Sequence, residues 1–181
     1  MGGNCFENVP HESLDSCPND EIAGGVSTRI FYAPTEFLDK VDVPTPTGDY
    51  ATRITIPSDN LAFKADKGWK GIDILVDEGE LKNMLVGNRG NKKSKAELEF
   101  FIPGFKKDVV GFIDTFKNVP MVFAVKDSNG VIWLVGTKLN GAFMENAEGT
   151  TGKKFEDNSG VTCKINANAK LYVYAGDIVD L

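Results

Sequence analysis

The residues able to do chemistry are few and scattered. Cys5, His11 and Cys17 share one short window, and His11 is the single histidine of the chain. Two thiolates and an imidazole are metal-ligand types, but no fourth ligand is evident. Cys5 and Cys17 could equally pair with each other, or stand as reduced thiols in a cytoplasmic product. The third cysteine, Cys163, makes the count odd, which is not a disulfide framework. A Ser-His-Asp or Cys-His nucleophile has little to build from when the one imidazole lies in a polar arm. The run Gly87-Asn88-Arg89-Gly90-Asn91-Lys92-Lys93-Ser94 ends in Lys-Ser but lacks the spacing of a phosphate-binding Walker loop. Asp127-Ser128-Asn129-Gly130 and Asp157-Asn158-Ser159-Gly160 carry the oxygens of calcium loops. Neither continues into the full ligand pattern with its terminal glutamate, so both read as turns. Paired carboxylates can hydrolyse glycosides, but 26 acidic residues supply such pairs by chance. Trp133 lies in an apolar run and reads as core. Trp69 precedes a more polar stretch and reads as core or as a surface anchor for a sugar or protein. No catalytic, metal or cofactor-binding residue is assigned, no cofactor is expected, and the chain is not expected to be an enzyme.

The elements that would position such residues centre on Gly104–Thr137. Val109, Phe112, Ile113 and Phe116 recur at helical spacing, with Lys106, Lys107, Asp114 and Lys117 off that stripe. Asn118 and Pro120 end the helix. Apolar runs Met121–Val125 and Val131–Val135 flank the Asp127–Gly130 turn, which predicts a hairpin. Consecutive apolar residues predict that both its faces are covered. The helix covers one, and a second sheet or another subunit must cover the other.

Upstream, residues 1–24 are polar and read as an extended arm, leaving residues 25–181 as one β-rich domain. Val26–Ala33 alternates and reads as a strand stopped by Pro34; Thr35–Val41 reads as a helical turn. Tyr50–Ile56, Ala62–Ala65 and Trp69–Val76 read as strands, with a turn at Asp77–Gly79. Glu80–Val86 fits helix or strand. Lys95–Ile102 reads as a half-buried strand, with Ala96, Leu98, Phe100 and Ile102 inward and Lys95, Glu97 and Glu99 outward. Gly87–Ser94 would then be a long polar loop able to order against a partner. Leu139–Met144 is a weak continuation of the hairpin, Glu145–Gly160 a polar connection, and Val161–Asn166 and Lys170–Ala175 further strands. Many short strands and one helix predict a mainly β fold, a β-sandwich or rolled β-barrel with one flanking α-helix.

Composition is that of a globular domain: 181 residues, 41% hydrophobic and 25% charged. No apolar run approaches the ~20 residues that span a bilayer, so no membrane is expected. The N-terminus lacks the basic start and apolar core of a secretory signal, so synthesis in a cytoplasm is expected. The net charge of -6 argues against general nucleic-acid binding; Arg89–Lys95 is the one basic cluster. Net acidity also suits a surface that DNA must slide past.

The order of pieces in the second half resembles the tail tube proteins of long-tailed bacteriophages and of contractile injection systems. The resemblance rests on Phe100-Phe101-Ile102-Pro103-Gly104, the helix around Phe112-Ile113, and the Met121–Val135 hairpin with its Gly136 step. Thr151-Gly152 followed by Asp157–Thr162, and the early Gly24-Gly25, add to it. The resemblance implies a virion structural protein of the phage tail, forming sixfold rings that stack into a hollow conduit. Neighbouring sheets would join to line the lumen. It further implies that Gly87, Asn88, Arg89, Gly90, Asn91, Lys92, Lys93 and Ser94 form an inter-ring loop. Glu97 and Glu99 would face an exposed surface, with the lumen as the candidate. The arm would pack on a neighbour, and a tail sheath, tape measure and tail terminator would be further partners. DNA would pass without specific binding. Other readings are a head-to-tail connector, a capsid decoration protein, or a carbohydrate-binding β-sandwich using Trp69.

Overall fold

The structure, a computed structural model, describes residues 9–180. Its elements run β1 (Arg29–Pro34), β2 (Leu38–Val41), β3 (Thr55–Ile56), β4 (Leu61–Phe63), β5 (Lys70–Asp73), β6 (Gly79–Val86) and β7 (Lys93–Pro103). Then come α1 (Lys107–Phe116), β8 (Met121–Lys126), β9 (Ile132–Val135), β10 (Ala142–Thr150), β11 (Gly160–Ala167) and β12 (Tyr172–Tyr174). The fold is mainly β with one α-helix, as the strand-rich pattern predicts.

One 10-stranded hydrogen-bonded sheet bends where β8 meets β10 through the single pair Ala142↔Met121. The bend divides it into β5-β1-β8-β9-β12-β3 and β10-β11-β7-β6, which face each other as a sandwich. A second corner is tied where the Leu75 amide donates to the Phe101 carbonyl at 2.9 Å. Between the halves lies the main core. Ile30, Met121, Phe123 and Val125 come from one side; Leu98, Phe100, Cys163 and Ile165 come from the other. Phe100 and Phe123 meet across it with ring centroids 6.3 Å apart.

β8 explains why its sequence is apolar without a break. Phe123 and Val125 enter this core, while Val122 and Ala124 point the other way into a second cluster with Leu38, Leu61, Trp69 and Tyr172. The expected second cover is therefore the chain's own. The two-stranded sheet β2-β4 and the segments around Ile56, Trp69 and Tyr174 supply it. Helix α1 lays Val109, Phe112, Ile113 and Phe116 on the main core, and Phe112 and Phe116 meet Tyr32 edge-on at 5.1 and 5.4 Å.

The hairpin turn forms as its residues predict. Asp127 Oδ1 accepts from the amides of Asn129 and Val131, and Oδ2 accepts from Trp133 Nε1, all at 2.9 Å. Gly130 takes φ 87°, open to glycine at little steric cost. The aspartate oxygens are thus committed to the turn. Asp157 serves its own loop likewise, accepting from the Lys153 and Lys154 amides at 2.8 Å, and these bonds hold its carboxyl below the usual range.

Several expectations are corrected. Tyr50–Ile56 is mostly turn and 3-10 helix, with only Thr55–Ile56 in a strand. Asp49 Oδ1 accepts from the Thr52 amide at 2.7 Å, and that local bond outcompetes the extended form its alternation suggests. Thr35–Val41 is a 3-10 turn followed by β2. Glu80–Val86 is strand, paired along its length with β7. The polar stretch after Met144 is no loop until Thr150, because β10 continues in pairing with β11 past an irregularity at Glu145.

Candidate functional site

The feature that sets one region apart is the half β10-β11-β7-β6. Its inner face is core, and among the described residues its outer face carries no covering layer. On that outer face β7 contributes Lys95, Glu97 and Glu99; the register sets Lys82 beside Glu97 and Glu80 beside Glu99 on β6. From the other side β11 brings Lys164 beside Glu99, and β10 brings Asn146 beside Lys164. The charges form a chain across all four strands. Glu80 lies 2.9 Å from Lys82, Lys82 4.0 Å from Glu97, Glu97 3.3 Å from Lys164, and Lys164 3.7 Å from Glu145. The hydrogen bond to Glu97 raises the Lys164 pKa, and the bond to Glu80 raises that of Lys82.

This corrects the expected open acidic face. Glu97 is 8% exposed, flanked by two lysines, and Glu99 is half-buried. Strand alternation places Glu97 outward correctly. It carries no information about Lys82 and Lys164, which arrive from other strands and cover it with their stems. The face is a ladder of alternating charge.

The expected loop Gly87–Ser94 sits at the far end of this half. It is shorter than expected: Lys93 and Ser94 belong to β7, opposite Val86 and Leu85, and the connection is residues 87–92. Its side chains are exposed through Lys93, while Ser94 is half-buried. Gly87 and Gly90 both take positive φ there. Leu85 and Val86, just before the tip, are also exposed.

Two strand edges complete the picture. Among the described residues β6 pairs only with β7, and β10 beyond Ala142 pairs only with β11. Exposed Phe143 marks the β10 edge, and exposed Leu85 marks the β6 edge. Unpaired edges with apolar side chains are templates for another strand.

The other candidates resolve differently. Trp69 is 3% exposed and packs edge-on against Phe63 at 5.1 Å, so it offers no surface anchor. Trp133, expected in the core, is half-buried and tied to Asp127. Cys163 lies in the main core, where burial pushes its thiol up to about 12. Cys17 is an exposed free thiol and His11 is exposed. Cys5 lies outside the described residues, so its proposed pairing or metal role with Cys17 and His11 does too. No described helix is long and apolar enough to cross a membrane. No family model, curated protein or solved structure matches the chain.

The signals that sequence reasoning passed over are the free edge of β10 and the ladder. A polar strand of the β10 kind has no apolar period to announce it.

Proposed function

We propose that this chain is a self-assembling structural subunit, a tail tube protein whose copies join edge to edge into rings and stack into a conduit. One observation carries the reading: among the described residues, the half β10-β11-β7-β6 has an uncovered face bounded by two unpaired edges. Its four strands alternate in direction. A copy rotated about an axis along the strands therefore sets its β6 antiparallel to the β10 of its neighbour. Such a heterologous contact repeats around a ring until it closes. Closure removes both edges and turns the charge ladder toward the bore. A wall of alternating, mutually compensated charges offers DNA no continuous cationic track, so DNA passes without specific binding. The hairpin tip at residues 87–92 projects at the end of the strands, where the next ring would stack. The same edges would serve a connector or decoration ring, and stacking is what separates these. Burial of Trp69 removes the anchor on which a sugar-binding reading relied.

Negative-stain electron microscopy with light scattering on the purified chain tests this. Rings and hollow tubes are expected, and Phe143→Asp, at the free edge, should leave monomers of unchanged fold. A monomer at every concentration, or unimpaired tubes from the variant, would sink the proposal.

A further inference from the structure

The β6-β7 hairpin changes charge along its length. Its tip and the strand ends beside it, residues 84–96, hold Arg89, Lys92, Lys93 and Lys95 and no carboxylate. Among the described residues Arg89, Lys92 and Lys93 have no ion-pair or hydrogen-bond partner for their side chains. Leu85 and Val86 expose apolar surface beside them. Its base is the reverse. Asp77 and Glu78 form the exposed turn into β6, Glu80 follows, and Val76 is exposed next to them.

The chain just before β1 is fixed against β6 and the β8–β9 turn. The Asn129 side chain clamps the backbone of Ala23 in both directions at 3.0 Å. Val26 packs so closely on Gly79, the first residue of β6, that a β-carbon there would collide with it. Ala23 and Val26 line one cleft with Gly79, Glu80, Leu81 and Asn83, so it runs along β6. The chain leading into Ala23 is Asp20-Glu21-Ile22, exposed throughout, with Ile22 78% exposed. The base thus holds Asp77 and Glu78 with apolar Val76, and the exposed Asp20-Glu21-Ile22 leads into the cleft beside it. Lys153 and Lys154 lie at the same end of the sandwich, in the β10–β11 connection at the opposite edge, and Lys154 pairs with Glu156 at 3.9 Å.

Basic tip and acidic base are separated by the length of β6, roughly 23 Å at the rise of a strand. One copy cannot bring them together. We infer that the tip of one copy (Arg89, Lys92 and Lys93, with Leu85 and Val86) docks on the base of a second copy at Asp77 and Glu78, with Val76. Opposite charges and apolar surface at the two ends of one strand make a head-to-tail contact that does not close. It extends along the strand direction, across the direction of edge pairing. This deepens the assembly reading above and rests on it for the ring; it names the surface that receives the tip.

A charge swap tests it. The reversal R89E/K92E/K93E should leave rings but weaken their stacking about tenfold in sedimentation velocity, and D77K/E78K should do the same. Combining the two sets should restore stacking, which a merely damaged surface would not allow. Unchanged stacking in either reversal, no rescue by the swap, or rings of the natural chain that never stack would overturn the inference and leave the ring reading standing. Head-to-tail chains without rings, rescued by the swap, would support it and refute the ring. No self-association of any kind would refute both.

Discussion

The two halves of the sandwich are made from similar strands and treated in opposite ways. The half built on β8 is coated on both faces by its own chain, with Phe123 in one cluster and Val122 and Ala124 in the other. The half built on β7 and β11 buries one face and leaves the other as a ladder of compensated charge, with both edges unpaired among the described residues. Hydrophobic burial is thus completed in the first half within a single copy. In the second it stops at one layer. The β10 edge is irregular at Glu145 and the β6 edge carries Glu80 and Lys82, both of which blunt an edge, so the apolar surface these edges offer is at Phe143, Leu85 and Val86. An interface has room to form on the singly covered half alone, because the faces of the other are taken up by the chain's own layers.

The doubly covered half is most sensitive at β8. Phe123 is fully buried and meets Phe100 and Tyr32. Phe123→Ala should cost about 3–5 kcal/mol, since the cavity opens between two sheets that cannot collapse on it. Urea denaturation reads this directly; a loss below about 1 kcal/mol would mean that the main core is not organised as described.

That keel is also the part most legible from sequence. The helix stripe, the Asp127–Gly130 turn and the unbroken Met121–Val125 run are local patterns, and local patterns fix periodicity. What was not legible depends on neighbours distant in the chain. Trp69 is buried by Phe63 and the C-terminal segment, which no window around residue 69 contains. Glu97 is covered by lysines on two other strands. Tyr50–Ile56 alternates like a strand, yet the Asp49 side chain turns it. The polar β10 is a strand because β11 pairs with it, and its own composition reads as a loop.

A milder probe sits between the halves. Burial holds the Cys163 thiol protonated, pushed up to about 12. In the unfolded chain a cysteine ionises near pH 8.5. Between those values the unfolded state has lost a proton that the folded state keeps, so stability falls as pH rises through that window. The slope approaches about 1.4 kcal/mol per pH unit. Below pH 8 both states hold the proton and the contribution is flat. Cys163→Ala should remove this part of the alkaline slope in pH-dependent denaturation. At neutral pH a thiol reagent should label exposed Cys17 and spare Cys163 until the protein unfolds.

The smallest effect on stability should lie at the open edge. Leu85 is 68% exposed and belongs to a strand with one partner, so Leu85→Ser removes little that the monomer buries. Its unfolding free energy, measured at concentrations too low for assembly, should change by no more than about 0.5 kcal/mol. Tube formation at high concentration should nevertheless fall, because the same side chain stands beside the tip and on the edge that a second copy would cover. A large loss of monomer stability would show that the edge already serves the fold, and the contrast between the halves would disappear. Full assembly by the variant would instead leave the contrast intact and move the interface elsewhere. Only separating stability from assembly in one substitution decides between an edge that is merely uncovered and one kept open for a neighbour.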